Sequence, residues 1–327
     1  MNFLQVNNKN RNKYFPVRGK ALRLPIYFPS ISSVKTGLSP FDYFNILKAL
    51  KQPHFLVSAF DIANSYRKSE FIEALNANKK DNSSIILMDS GNYESYWLRD
   101  RGWSIVKFNE ILEQELCDLA FCYDNQFPSK DSKENAIWIA KSTIESQEVA
   151  KSTSIIPIIH CKKENLIEAC LELYNQTNLT MISIPERILG DGLLERVKTI
   201  TNLRKELNNL ENYTFIHLLG TGNPLSLLLL SLAGADSFDG LEWCQTTVNS
   251  QTSLLYHFQQ RELISDNCDF CKSIDLDYNL ATLGHNLNFY NSWMKKIQDA
   301  IDSNSEEKLL RQYFDSNFVT SLTKIWA

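Results

Sequence analysis

Residues 85–91 read Ile-Ile-Leu-Met-Asp-Ser-Gly. An uninterrupted apolar run leads into an acid and then a small turn pair. Such a run reads as a buried strand, with Asp89 at its end. A carboxylate in that place is costly to desolvate unless something bonds it or uses it. The pattern recurs where Leu-Ala-Phe-Cys-Tyr leads to Asp124, and where Ala-Asp-Ser-Phe leads to Asp239. Acids ending several strands that alternate with helices predict one site at the carboxyl ends of a parallel barrel, where that architecture places its chemistry.

Working outward, strands are predicted at 22–28, 55–60, 85–89, 118–123, 155–160, 180–184, 215–219 and 235–239. Helical patterns are predicted between them at 40–50, 70–77, 108–116, 133–151, 163–174, 193–207 and 224–233. Ser39-Pro40 and Asn223-Pro224 suit helix starts, because proline fits the first helical turn. This alternation predicts an α/β fold, a (β/α)₈ TIM barrel over residues 14–245. The doubly wound open sheet that binds dinucleotides has little support, because no Gly-x-Gly-x-x-Gly opens the first unit. Gly220-Thr-Gly222 follows the seventh strand. It would let backbone amides approach a ligand, and it suits a tight strand-to-helix turn equally well.

Hydrophobic residues make up 43% of the 327 and charged residues 22%, which suits a soluble globular chain. No apolar run is long enough to span a bilayer, and the N-terminal stretch lacks a signal peptide's apolar core. A cytoplasmic protein with no membrane contact is expected. The seven cysteines then read as thiols or metal ligands. The formal net charge of −4 argues weakly against nucleic-acid binding, although a local patch can act inside an acidic average. The basic residues between Lys9 and Lys20, and those late in the chain, read as solvated surface. Residues 7–13 are polar and read as loose.

The last third differs. Residues 250–277 are irregular and contain Cys268-Asp-Phe-Cys271; a helix is predicted over 278–301, with His285 early in it. This spacing suits a zinc site with two ligands on a knuckle and one on a helix. Asp266, His257 and Cys244 are candidates for a fourth ligand. Two free thiols and a surface histidine fit the spacing as well. The expected division is a zinc-binding insertion and closing helix over 246–300, and a C-terminal helix over 301–327.

Six segments in order resemble the tRNA-guanine transglycosylase superfamily: Met88-Asp-Ser-Gly91, Asp118 through Asp124, Leu219-Gly-Thr-Gly-Asn-Pro224, Gly234-Ala-Asp-Ser-Phe-Asp239, Cys268-x-x-Cys271 and His285-Asn-Leu-Asn-Phe-Tyr290. They span about residues 20 to 300. The resemblance implies a barrel with a structural Zn²⁺ subdomain, and exchange of guanine in nucleic acid for a 7-deazaguanine base. It implies Asp239 as nucleophile at C1′, Asp89 as general acid/base and Asp124 as acceptor for the base's N–H groups. Ser90, Gly91, Tyr93, His160, Gly220 and Gly222 would line the substrate. Cys268, Cys271, His285 and Asp266 would hold zinc.

The chain also departs from that family. Asn92-Tyr93-Glu94 replaces the family's glycine-phenylalanine-glutamine. His160-Cys161-Lys162 replaces a glutamine-glycine-glycine, and Ser183-Ile-Pro-Glu-Arg187 replaces a glycine-rich segment. The proline-threonine-arginine that helps grip the tRNA anticodon loop gives way to Leu241-Glu-Trp-Cys-Gln245. That absence inclines the reading toward the superfamily's DNA-modifying branch, with tRNA close behind. A non-catalytic nucleic-acid-binding subunit is the second class, and an unrelated barrel hydrolase the third. A homodimer or partner proteins would also fit the family.

Overall fold

The computed structural model describes residues 11–264 and 267–326. Strands β1 (Tyr14–Val17) and β2 (Lys20–Arg23) form an antiparallel hairpin. Then come β3 (Ile26–Ile31), β4 (His54–Ser58), β5 (Ile85–Asp89), β6 (Leu119–Phe121), β7 (Ser154–Ile156), β8 (Met181–Pro185), β9 (Phe215–Leu219) and β10 (Ser237–Gly240). These last eight run parallel in the order β7-β6-β5-β4-β3-β10-β9-β8. A parallel bridge from Ile158 to Ser183 joins the two ends. The result is a barrel-like sheet consistent with the expected (β/α)₈ architecture. The single strand predicted over 22–28 is instead two. Pro25 has no N–H to donate to a ladder, and the chain leaves the hairpin there before entering the barrel.

Period two then sorts the side chains. On β5, Ile85 and Leu87 join the cluster inside the barrel, while Ile86 and Met88 join the cluster beneath the helices. Asp89 shares the inward parity of Ile85 and Leu87. The same holds for Asp239, whose neighbour Phe238 packs outward. Helices Pro40–Ala49 and Pro224–Ala233 start as expected: Ser39 and Asn223 accept backbone N–H groups at their N-termini. Each buried Leu or Phe of the outer layer contributes about 1.5–3 kcal/mol.

Helix Tyr278–Asp302 packs on β3 and on Pro224–Ala233. Trp293 Nε1 donates to the Pro224 carbonyl at 2.9 Å. This helix completes the outer ring, and residues 246–277 stand between it and β10. They include the hairpin of β11 (Thr246–Val248) and β12 (Leu255–His257). The expected single C-terminal helix is two, Glu306–Tyr313 and Ser316–Trp326. Asp315 Oδ1 accepts the N–H groups of Asn317 and Phe318 and so starts a new helix. Among the described residues, no helix is long and apolar enough to cross a membrane.

Acids also sit at the opposite end of the barrel. Asp236, just before β10, accepts from Ile216 N, Tyr213 Oη and the buried Arg204 guanidinium. Asp118, just before β6, accepts from Ile86 N at 2.8 Å and faces Arg18 Nε at 2.9 Å. Arg11 reaches Asp236 at 3.4 Å and is nearly buried. The early basic cluster is therefore not all solvated surface: Arg11 and Arg18 fasten the closed end. Residues 7–10 lie outside the described residues.

Candidate active site

Asp239 lies at the open end with three partners. Ser30 Oγ donates to Oδ2 at 3.0 Å, Gly220 N donates to Oδ1 at 3.2 Å, and His217 Nε2 stands 3.1 Å from Oδ1. The far nitrogen of His217 is 2.8 Å from Ser237 Oγ. With the ring fully buried, these contacts fix its orientation and hold the carboxylate from below. Asp239 does not cap the helix that follows it. Gly220, in the left-handed region at φ 72°, turns its amide to this carboxylate. A Cβ at Gly222 would strike the Glu242 carboxylate, so that glycine is set by packing.

Asp89 ends β5 and accepts Gly91 N at 3.0 Å. Burial, and after it the charges of Glu94, Asp124 and Asp239, holds its carboxyl well above the usual carboxylate range. Gly91 adopts φ 88°, and a Cβ there would lie 2.5 Å from Phe60 Cβ. Only glycine makes this turn.

Asp124 is a hub. Ser90 Oγ (2.8 Å) and Asn92 Nδ2 (2.6 Å) donate to Oδ1. His160 Nε2 lies 2.7 Å from Oδ2, which also accepts the Gln126 amide. Burial alone would raise this carboxyl. The bonds from His160, Asn92 and Ser90 outweigh burial and hold it below its ordinary value. His160 is thus bonded internally to an acid. Tyr93 stands at the rim, 40% exposed.

Two further acids were not singled out in the sequence. Glu94 is buried on helix Asn92–Leu98 and accepts Ser32 Oγ at 2.6 Å and Ser58 Oγ at 2.8 Å. Burial raises its carboxyl to about 7. Asp61 accepts the backbone and hydroxyl of Ser33, and burial raises it to about 6. The signal for Glu94 was its place five residues after Asp89, where one turn of helix carries it back over the mouth.

The metal-ligand candidates separate cleanly. Cys268 Sγ, Cys271 Sγ and His285 Nδ1 lie within 4.8 Å of one another. His285 Nε2 is 2.7 Å from the Val248 carbonyl. Donation there places the proton on Nε2 and leaves the Nδ1 lone pair facing the sulfurs, as a ligating histidine requires. Cys244 is buried elsewhere, with Sγ on the Leu241 carbonyl, and His257 caps a 3₁₀ turn. Neither belongs to the cluster. Asp266 lies outside the described residues.

Glu94 sets a pH dependence. Its ordinary value is 4.5 and its folded value about 7. The folded chain therefore holds this proton more tightly than the unfolded chain does. The stability so contributed is complete below about pH 4.5 and is lost as pH rises through 7. Glu94→Gln keeps the shape and removes the titration. Between pH 5 and 8 the unfolding free energy should move in the variant's favour by roughly 2–3 kcal/mol, read from urea unfolding at each pH. Parallel pH curves for the two proteins would contradict the assignment.

No protein-family model matches this chain, and no curated protein sequence matches it.

Proposed function

We propose that the chain exchanges a guanine base in nucleic acid for a 7-deazaguanine, through a covalent glycosyl intermediate on Asp239. The observation that carries this reading is the division of labour among three carboxylates at one barrel mouth. Burial and neighbouring charge push the Asp89 carboxyl up, bonds from His160, Asn92 and Ser90 hold the Asp124 carboxyl down, and Asp239 is aligned by His217, Ser30 and Gly220. Carboxyl groups pushed apart in this way can serve as acid and as base in one pocket.

The steps follow from those positions. The target nucleotide leaves its stack to enter the mouth. An Asp239 oxygen forms a bond to C1′ as the bond from C1′ to the guanine ring nitrogen breaks. Asp89 gives its proton to that nitrogen. In the second half the incoming base loses its ring N–H proton to Asp89, attacks C1′ and releases Asp239. Asp124 accepts N–H groups of the base edge, which would take the place now held by the Gln126 amide.

DNA is the favoured substrate, with tRNA second. In the stretch after Asp239, Trp243 is fully buried with Nε1 on the Ser30 carbonyl, and Cys244 is buried as well. Those two side chains are therefore turned away from any bound nucleic acid, which supports the DNA reading over an anticodon-loop grip at this segment. The test is incorporation of radiolabelled guanine into double-stranded DNA and, separately, bulk tRNA. Label should enter DNA. Asp89→Asn should slow exchange by about 10²–10⁴, and Asp239→Asn should abolish it. Exchange by Asp239→Asn at the parental rate would overturn the nucleophile assignment.

The Cys268, Cys271 and His285 cluster suits a structural zinc ion, whose soft ligands these residues supply. Elemental analysis should find one zinc per chain. Cys271→Ser should lose the metal and lower the melting temperature by several degrees, because binding of structural zinc contributes to folding. A parent protein without zinc, melting like the variant, would remove the metal.

A further inference from the structure

Helix Asn92–Leu98 begins directly after the Asp89-Ser90-Gly91 turn. Its inner face supplies Glu94 to the mouth, while its outer face carries exposed aromatics. Tyr96 is 74% exposed and Trp97 47%. Large aromatic rings ordinarily bury much of their area, so two side by side at a barrel mouth call for an occupant. They pack edge-to-face, with centroids 5.6 Å apart at 83°. Trp97 also meets Tyr93 edge-on at 6.4 Å. Tyr93 and Trp97 are four residues, just over one helical turn, apart, about 6 Å along the axis, so the rings step outward from the mouth.

The surroundings are cationic. Lys35, from the loop after β3, places Nζ 3.8 Å from the Trp97 centroid. Arg99, Arg101 and Lys107 follow within ten residues and are exposed. This local excess lies in a chain whose net charge is −4. It is also held in place. Asp100 N donates to the Ser95 carbonyl at 3.0 Å, and Ser95 Oγ to the Asp100 carbonyl at 2.9 Å. Trp103 Nε1 donates to the Ser90 carbonyl at 3.1 Å. The ledge is thereby tied to the turn that carries Asp89.

Aromatic faces interleaved with Lys and Arg suit one partner chemistry: unpaired bases stack on the rings while phosphates meet the cations. We propose that Tyr96 and Trp97, with Lys35 and Arg99 beside them, are a stacking ledge for unpaired nucleotides flanking the one drawn into the barrel. This rests on the proposed nucleic-acid substrate, and it specifies a locally single-stranded one.

The test uses the full-length protein and fluorescence anisotropy of labelled 12-mers: dT₁₂, rU₁₂, an abasic deoxyribose-phosphate strand and a blunt duplex. None of the single strands contains guanine, so binding is read without exchange chemistry. The dT₁₂ and rU₁₂ strands should bind more tightly than the abasic strand or the duplex. The relative affinity of dT₁₂ and rU₁₂ shows whether DNA or RNA is the natural source. Tyr96→Ala/Trp97→Ala should weaken base-bearing strands about tenfold or more and leave the abasic strand unchanged. Tyr96→Ala alone, at the more exposed of the two positions, provides the same comparison if the double variant folds poorly. Equal binding of abasic and base-bearing strands would overturn the ledge, as would an unchanged affinity in both variants. A dimer in sedimentation that these variants dissociate would also overturn it, by assigning the rings to a second copy. If binding behaves as expected while guanine exchange fails, the transglycosylase reading falls and the ledge stands.

Discussion

Parallel strands in a nearly closed, barrel-like sheet share one direction, so all their carboxyl ends meet at one mouth. This constraint organises the molecule. Strand β5 contributes Asp89 and β10 contributes Asp239, while Asp124 follows β6, so acids far apart in sequence become neighbours. Inward parity makes the placement obligatory. An Asp that alternates with Ile85 and Leu87 inside the barrel cannot turn to solvent without flipping the whole strand. Desolvation follows: it pushes the Asp89 carboxyl up, while at Asp124 the bonds from His160, Asn92 and Ser90 outweigh it.

The two ends of the barrel use the same residue type for opposite purposes. Asp236 and Asp239 are three residues apart. Asp236 is bound by Arg204, Arg11, Tyr213 and a backbone amide, leaving no access for another molecule. Asp239 faces the mouth, with one oxygen toward His217 and the other toward Ser30. Asp118 and Asp124 repeat the contrast across β6. Acids paired with arginine at the amino ends of strands fasten the barrel, and acids held by hydroxyls, amides and histidine line the mouth at the carboxyl ends, where this architecture places its chemistry.

Much of this was legible in the sequence. The apolar runs ending in Asp89 and Asp239 fell on β5 and β10, and helices 193–207 and 224–233 have the expected bounds. Cys268, Cys271 and His285 meet, although the sequence could not say that the Val248 carbonyl would set the histidine's tautomer. Glu94 was missed because a glutamate on a short helix whose other residues are mostly exposed resembles surface. Only the meeting of two serines, from the loop after β3 and the end of β4, buries it. His217 was hidden inside an apolar strand, where only the inward parity it shares with Phe215 marks it. Arg11 and Arg18 read as solvated because their carboxylate partners lie more than 90 residues away. Partners so distant in the chain meet only once the barrel has closed.

The claim that most depends on this geometry is covalent chemistry at Asp239. The direct measurement is intact-protein mass spectrometry after the protein is incubated with a guanine-containing oligonucleotide, without incoming base, and quenched in acid. The account predicts a species heavier by the oligonucleotide less one guanine, mapped by peptide analysis to Asp239. It also predicts that the species is absent from Asp239→Asn. An adduct on Asp89, or base exchange proceeding with no adduct on Asp239, would contradict it.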